Sequence, residues 1–414
     1  MPLSIKLDVI ALVGIAILSA FLVGQVLKRL GIPQVVGFIL GGVLLGPSLF
    51  HLIPNELNVD LSFVSEMALG LIGFDMGGHL RFSKLRKMGG SILLIVILEA
   101  LGAFLLVGGA LYLITGSVYL ALVFGALASA TDPASTVDVL NEYHADGPLT
   151  TRLLAVVGLD DAISLLLFSL GAALVESHFG SDEGMSVLVL LGVPLLEIGG
   201  SLLLGLALGI VLHWAIRYLK IDPHTHDAMV VPIGTIFVAS GLARALGLSL
   251  TLTMMVIGLV VVNRNAYNGL YIRATIERAG PVIYLLFFAL AGARLNVLDL
   301  PAMGLVGIAY LVFRNLGKLA GAWAGGVLGK CDRPVRNNLG LALFSQAGIV
   351  IGLALDSHIR FGTLGAEGER LGNLILTVIT ATTVVAQLLG PIFVKLAITR
   401  AGEARRSLDR LVAE

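Results

Sequence analysis

Apolar residues run along this chain in long, nearly unbroken blocks, not in the narrow stripes of a helix half-exposed to water. Crossing the hydrocarbon of a bilayer takes ~20 residues of helix. Runs of that kind predict thirteen helices, near residues 7–27, 34–50, 62–78, 90–113, 118–140, 152–175, 187–215, 228–246, 248–263, 280–293, 301–328, 337–356 and 372–398. The longest polar stretch is the end of the chain, from about Arg400 to Glu414, which reads as a short amphipathic tail and not as a nucleotide-binding module. The pattern predicts an all-α polytopic membrane protein with one transmembrane domain and a tail over 399–414.

Composition sharpens this. Of 414 residues, 57% are hydrophobic and 13% charged, too little charge to solvate a water-exposed surface of this size. Lys plus Arg and Asp plus Glu number 27 each, so the formal net charge is zero and a nucleic-acid partner is not expected. The single cysteine, Cys331, excludes an intrachain disulfide and a cysteine-rich metal site, and no cofactor is expected. Met1 to Ile10 lack the basic start and small-residue cleavage site of a secretory signal, so the first apolar run is expected to be a retained span. Fifty-one glycines suit membrane helices that pack closely or break.

The basic residues give an orientation. With thirteen spans, twenty of them fall on one side, from Lys28 and Arg29 to Arg406 and Arg410. Five fall on the other, at Lys6, Arg244, Arg294, Arg360 and Arg370. Counts of twelve or fourteen spans would shuffle these charges. Basic loops stay cytoplasmic, so the N-terminus is expected outside and the C-terminus inside.

Five charged groups sit near span centres, where each costs ~2.5–3.5 kcal/mol and must be relieved by pairing or water. They are Asp132, Asp160, Asp161, Arg314 and Lys318. Asp160 and Asp161 are neighbours, so on a helix they point ~100° apart and cannot share a partner in the same way. One can lean on a base of another helix while the other faces a cavity. Repulsion between them favours a proton on one, and a carboxylate poised in this way can hold either a monovalent cation or a proton. Arg314 and Lys318 are four residues apart and share a face, with Gly317 and Gly321 beside them. Lys318 is a candidate partner for Asp160. Arg314 is left to hold an acid or a carbonyl elsewhere, and Glu66 on the third span is the acid expected to meet it. Glu99, on the fourth span, is a further candidate, although acids placed as Glu66 and Glu99 are more often interfacial.

Asp132 precedes Pro133 in Ala130-Thr131-Asp132-Pro133-Ala134-Ser135. Proline lacks an N–H and clashes with the preceding turn, so the helix is expected to break here, at membrane depth. Thr131, Asp132 and Ser135 can satisfy the freed backbone groups, and Asp132 offsets the positive end of the following half-helix. A second break is expected at Phe344-Ser345-Gln346-Ala347-Gly348, with Ser345 and Gln346 as its polar groups. The two breaks suggest inverted repeats over about 7–175 and 228–398, joined by a linker helix at about 187–215.

Together these stretches resemble the monovalent cation:proton antiporter family, the sodium/proton exchangers. The run from Leu30-Gly31-Ile32-Pro33-Gln34 to Gly46-Pro47-Ser48 is similar to the family's second-helix signature, and Thr131-Asp132-Pro133 to its first broken helix. Asp160-Asp161 resembles the paired aspartates of the electrogenic branch, where the electroneutral branch has Asn-Asp. Leu316-Gly317-Lys318-Leu319-Ala320-Gly321 resembles the helix whose lysine meets the first aspartate. The resemblance implies two crossing broken helices, with Thr131 and Asp132 at the crossing. It implies Asp161, with Asp160 beside it, as the site of the transported cation and proton, and Lys318 as the partner of Asp160. It further implies a homodimer in a prokaryotic inner membrane, with a core bundle moving against a scaffold. Arg314 departs from the paired-aspartate pattern, since an arginine near this place is typical of the electroneutral branch. The choice between Lys318 and Arg314 as partner of Asp160 therefore stays open, as does the choice between Na⁺ (or Li⁺) and K⁺ as cargo.

Three rival readings stand beside this one. A cation channel needs a continuous pore. An organic-anion symporter needs basic groups at its cavity, which the acidic centre disfavours. An intramembrane protease needs two facing aspartates on separate spans; Asp160 and Asp161 adjoin, which leaves Asp132 with Asp161 as the one pair for that reading.

Overall fold

The computed structural model describes residues 8–46, 48–53, 61–179, 187–219, 227–264, 266–295, 300–301, 303–346 and 349–404. Among these, all regular structure is helical. The helices are α1 (Val9–Arg29), α2 (Gln34–Leu45), α3 (Ser62–His79), α4 (Phe82–Thr115), α5 (Val118–Ser129), α6 (Pro133–Glu142), α7 (Pro148–Phe179) and α8 (Val187–Tyr218). They continue as α9 (Asp227–Ala245), α10 (Leu250–Arg264), α11 (Ala266–Arg294), α12 (Gly304–Leu328), α13 (Arg333–Asn338), α14 (Ile349–Gly362) and α15 (Gly365–Arg400).

Among the described residues, seven helical stretches are long and apolar enough to cross a membrane, including α1, α7, α12 and α15. Shorter apolar helices, such as α2 and α10, pack between them. The outer surface carries exposed Leu18, Leu22, Leu105, Leu113, Leu203 and Val211. A surface so rich in large apolar side chains is built for lipid.

The helices pack as two groups. In one, α4 lies against α12, α5 and α7, while α15 packs on α14, on α6 and on a short 3₁₀ turn at Gly340–Leu343. In the other, α2 packs on α1 and α11, and α10 on α3, α8 and α9. The second group joins the first and second halves of the chain. α2 of the first half embraces α11 of the second, and α10 of the second embraces α3 of the first. Glycines make both contacts close. A Cβ at Gly42 would strike the Ala289 carbonyl, and one at Gly77 would strike the Met255 carbonyl. α7 meets α8 along the seam between the groups, where α3 also touches α6 and α7.

Two elements differ from the apolar pattern. The predicted span at 280–293 is the second half of α11, which runs unbroken through Pro281 from Ala266. Apolar content sees only the part at membrane depth. The predicted span at 337–356 is not one helix. It is α13, the 3₁₀ turn, an irregular stretch at Phe344–Gln346, and α14 reaching Gly362. Of the second predicted break, Ala347 and Gly348 lie outside the described residues.

Candidate functional site

The first broken helix is built by its own sequence. α5 ends at Ser129, and Ala130 turns to extended geometry. Pro133 opens α6 with Asp132 as its N-cap, whose carboxylate accepts from the N–H groups of Ala134 (3.0 Å) and Ser135 (3.3 Å). The second broken segment crosses it here. The Asp132 N–H donates to the Ser345 carbonyl (3.1 Å), and the hydroxyls of Ser135 and Ser345 are hydrogen-bonded. Gln346 ties the crossing to its neighbours, donating to the Leu127 carbonyl (2.9 Å) and the Tyr310 hydroxyl (2.7 Å).

Arg314 sits fully buried over this crossing. Its guanidinium donates to the carbonyls of Ala130 (2.7 Å), Phe344 (2.9 Å) and Ser345 (3.2 Å). These are the carbonyls freed where α5 and the 3₁₀ turn end, so they carry the negative ends of two helix dipoles. A planar fork of five donors suits such a set better than a single ammonium would. The expected pairing of Arg314 with Glu66 is therefore corrected. Glu66 instead meets the exposed Arg244 at 2.8 Å. Carbonyls, not an acid, take most of the hydrogen bonds from the terminal nitrogens of Arg314, while its Nε has no partner among the described residues.

Lys318, one turn further along α12, reaches the acids. Its Nζ stands 2.7 Å from Oδ2 of Asp160 and 2.5 Å from Oε2 of Glu99, and all three side chains are fully buried. It also donates to the Thr131 hydroxyl (3.0 Å) and to the Ser129 carbonyl. Thr131 in turn donates to Asp160 at 2.5 Å. The interfacial setting favoured for Glu99 is corrected by its complete burial. The cause is close packing of α4 on α12: a Cβ at Gly321 would overlap the backbone of Leu98 and Glu99, and one at Gly317 that of Gly102 and Ala103. Glu99 is thus carried against Lys318. The signal is present in the sequence, in a mid-span acid one turn from Gly102 and opposite the Gly317–Gly321 stripe.

Asp161 has a different environment from its neighbour. It is 8% exposed, and neither carboxylate oxygen has a hydrogen-bond partner. It lines a hollow of about 240 Å³ together with Gly158, Leu165, Glu197, Ser249 and Ile349. Nearer the start of α7, Thr151 and Leu154 line a larger cavity of about 1020 Å³, with His79, Arg81, Asp138 and Asn141. Buried Met76 and Met255 pack over Gly158, where a Cβ would run into the Met255 sulfur. Asp75, which sequence reasoning passes over, is also fully buried, at the seam of α3 and α6, and accepts from Asn141 at 2.9 Å.

Comparisons with known proteins bear on this arrangement. The chain spans under half the length of each of three curated relatives. It is 26% identical to sodium/hydrogen exchanger 8 of Rattus norvegicus over 47% of this chain and 35% of that protein. It is 30% identical to the iron transporter MagA of Paramagnetospirillum magneticum over 44% of this chain and 42% of that one. With cation/H(+) antiporter 19 of Arabidopsis thaliana the identity is 24%, over 84% of this chain and 45% of that protein. In fold it matches the sodium proton antiporter MjNhaP1 from Methanocaldococcus jannaschii at pH 8, with a TM-score of 0.70 and 18% identity over 96% of this chain and 98% of that one. An electron-microscopy structure of the same antiporter aligns with a TM-score of 0.76 and 19% identity over 100% and 99% of the two chains. The model of the transmembrane sodium/hydrogen exchanger family matches residues 17–396, nearly the whole described chain, and the protein belongs to that family.

Proposed function

We propose that this protein is a secondary antiporter exchanging Na⁺ or Li⁺ for H⁺, with cation and proton competing for Asp161. The observation that carries this is a carboxylate deep in the fold whose two oxygens are buried without a hydrogen-bond partner, on a residue that lines a hollow. A hard cation needs oxygen ligands, and an empty carboxylate supplies two of them. A proton removes them. Exchange follows when the same group meets each side of the membrane in turn.

Asp160 is held by Lys318 and Thr131, so its part is to fix the site and to balance charge beside the cation. The Asp160–Lys318 pair, with Arg314 occupied by carbonyls, favours the paired-aspartate, electrogenic branch. Asp132 and Thr131 hold the crossing that supports α7. Met76 and Met255 pack on Gly158, which lines the hollow at Asp161, while Leu154 one turn earlier on α7 lines the larger cavity; two separate cavities along one helix suit alternating access. On this reading the group containing α4, α7 and α12 moves against the group containing α1, α2 and α10. The latter forms a homodimer, with the chain's halves at about 7–175 and 228–398 as repeats. The charge split supports an inner-membrane protein with a cytoplasmic C-terminus. K⁺ remains the alternative cargo on the same fold.

The test uses vesicles with an imposed pH gradient. Added Na⁺ or Li⁺ collapses the gradient with the native protein and not with Asp161→Asn, which still folds. Full exchange by D161N would remove the site, and a series of Na⁺, Li⁺ and K⁺ decides the cargo.

A further inference from the structure

We infer that Glu197 is a second carboxylate of the cation path, receiving the monovalent ion at the hollow in front of Asp161. The inference rests on the proposed role of Asp161 and adds a group on the opposite wall. Glu197 lies on α8, in the helix group that faces α7 across the seam, and it lines the same hollow as Asp161. Among the described residues, no hydrogen bond or ion pair reaches its carboxylate; only its backbone carbonyl is engaged, by Ser201. It is half-buried, between the lipid-facing Leu196 and the interior.

The rest of the lining makes the pair of acids stand out. Leu165, Ile198, Leu252, Ile349 and Leu353 are apolar, and among the described residues Ser249 is the only hydroxyl. Among the described residues no base lines the hollow: Lys318 is held by Asp160 and Glu99, and Arg314 by the carbonyls of the crossing. Two acidic residues lining an apolar-walled space attract a cation and disfavour an anion. At ~30 Å³ per water, the space admits an ion with part of its hydration shell. A half-buried carboxylate at its edge replaces some of the water that the ion sheds before it reaches Asp161. Because α7 and α8 belong to different packing groups, the two carboxylates can approach and part as the groups move. Glu197 then acts from one side of the membrane only.

Proteoliposomes with the full chain in a single, verified orientation test this. The half-saturating Na⁺ or Li⁺ concentration for exchange is measured separately from each face for the native protein, Glu197→Gln, Glu197→Asp and Asp161→Asn. For E197Q the expected result is a rise of roughly five- to ten-fold at one face, with no rise at the other. E197D, with its carboxylate drawn back by one methylene, gives a smaller rise at the same face. An unshifted E197Q, or equal shifts at both faces, overturns the inference. If E197Q is not recovered as a folded protein, an unshifted E197D overturns it by itself. Exchange persisting in D161N removes the underlying site, whereas an inactive D161N beside an unshifted E197Q removes Glu197 alone.

Discussion

The ammonium of Lys318 lies 2.5 Å from Oε2 of Glu99, so the buried lysine is clasped by two acids, Glu99 on one flank and Asp160 at 2.7 Å on the other. Removing the base leaves two carboxylates buried without a counter-charge. Breaking a buried pair in this way costs about 3–5 kcal/mol. Lys318→Ala is therefore expected to lower the detergent-solubilised protein's thermal midpoint severely. Glu99→Gln leaves one acid to one base and is expected to cost less than half as much. Thermal unfolding of the two variants side by side checks this order; equal losses would mean that Glu99 does not share the lysine.

Asp132 performs a task that an amide can also perform. Its oxygens accept from Ala134 and Ser135 at the start of α6. Asn caps a helix about as well as Asp, whereas Ala loses the cap at a cost of about 1 kcal/mol or more. Asp132→Asn is thus expected to keep stability within about 0.5 kcal/mol of native, and Asp132→Ala to lose about 1–2 kcal/mol. The same pair separates capping from ion chemistry. Exchange kept by D132N and weakened by D132A marks a cap, while exchange lost in D132N despite native stability marks a charge that the cycle needs.

How far such a centre can be read from sequence depends on what each residue does with its neighbours in space. The helices are legible because membrane depth forces apolar runs, and the break at Asp132-Pro133 because proline acts locally. Asp160 and Asp161 stand out as charges in an apolar run. Their division of labour, one on Lys318 and one on a hollow, depends on where α12 and α8 lie. Arg314 is conspicuous in its span, but its ligands are backbone carbonyls, which leave no trace in side-chain identity. Glu99 is undervalued because the glycines that mark it, Gly102 beside it and Gly317 and Gly321 on α12, lie on two helices whose contact the sequence does not reveal; its burial comes from that contact. Glu197 lies inside the apolar run at 187–215, and nothing in the sequence around it points to the hollow that it lines.

Arg314 offers a test of carbonyl recognition. Its fork serves three carbonyls from two different broken segments. A lysine keeps the charge and loses the geometry, since one ammonium cannot span that set with aligned bonds. Arg314→Lys is expected to fold but to lose about 2–3 kcal/mol, since carbonyls left unpaired in a buried place cost about 1–3 kcal/mol each when no water replaces the donor. Exchange should fall as well, because the crossing supports Thr131 and through it Asp160. A native melting midpoint for R314K would show that charge alone holds the crossing.

The helix that carries the aspartates is held at its first turn by a residue from the other end of the chain. Glu403, just beyond α15, is 8% exposed and turns its carboxylate onto the first turn of α7. Its Oε1 accepts from the Leu149 N–H at 2.6 Å, and its Oε2 from the Thr150 N–H and hydroxyl, both at 2.7 Å. These are orphan donors at the positive end of a helix dipole, so a carboxylate there serves as both cap and counter-charge. Hydrogen bonds to a charged group contribute about 1.5–3 kcal/mol. The contact also fixes α15 to α7, since the Asp146 N–H donates to the Glu403 carbonyl at 3.2 Å. Glu403→Ala is expected to lose about 2–3 kcal/mol and Glu403→Gln about half of that, since an amide keeps one acceptor and loses the charge. Hydrogen exchange separates this from general destabilisation. E403A should lose amide protection first at Leu149 to Thr151, while protection at the α4–α12 contact stays native. Protection lost evenly along the chain would mean that Glu403 does not clamp α7.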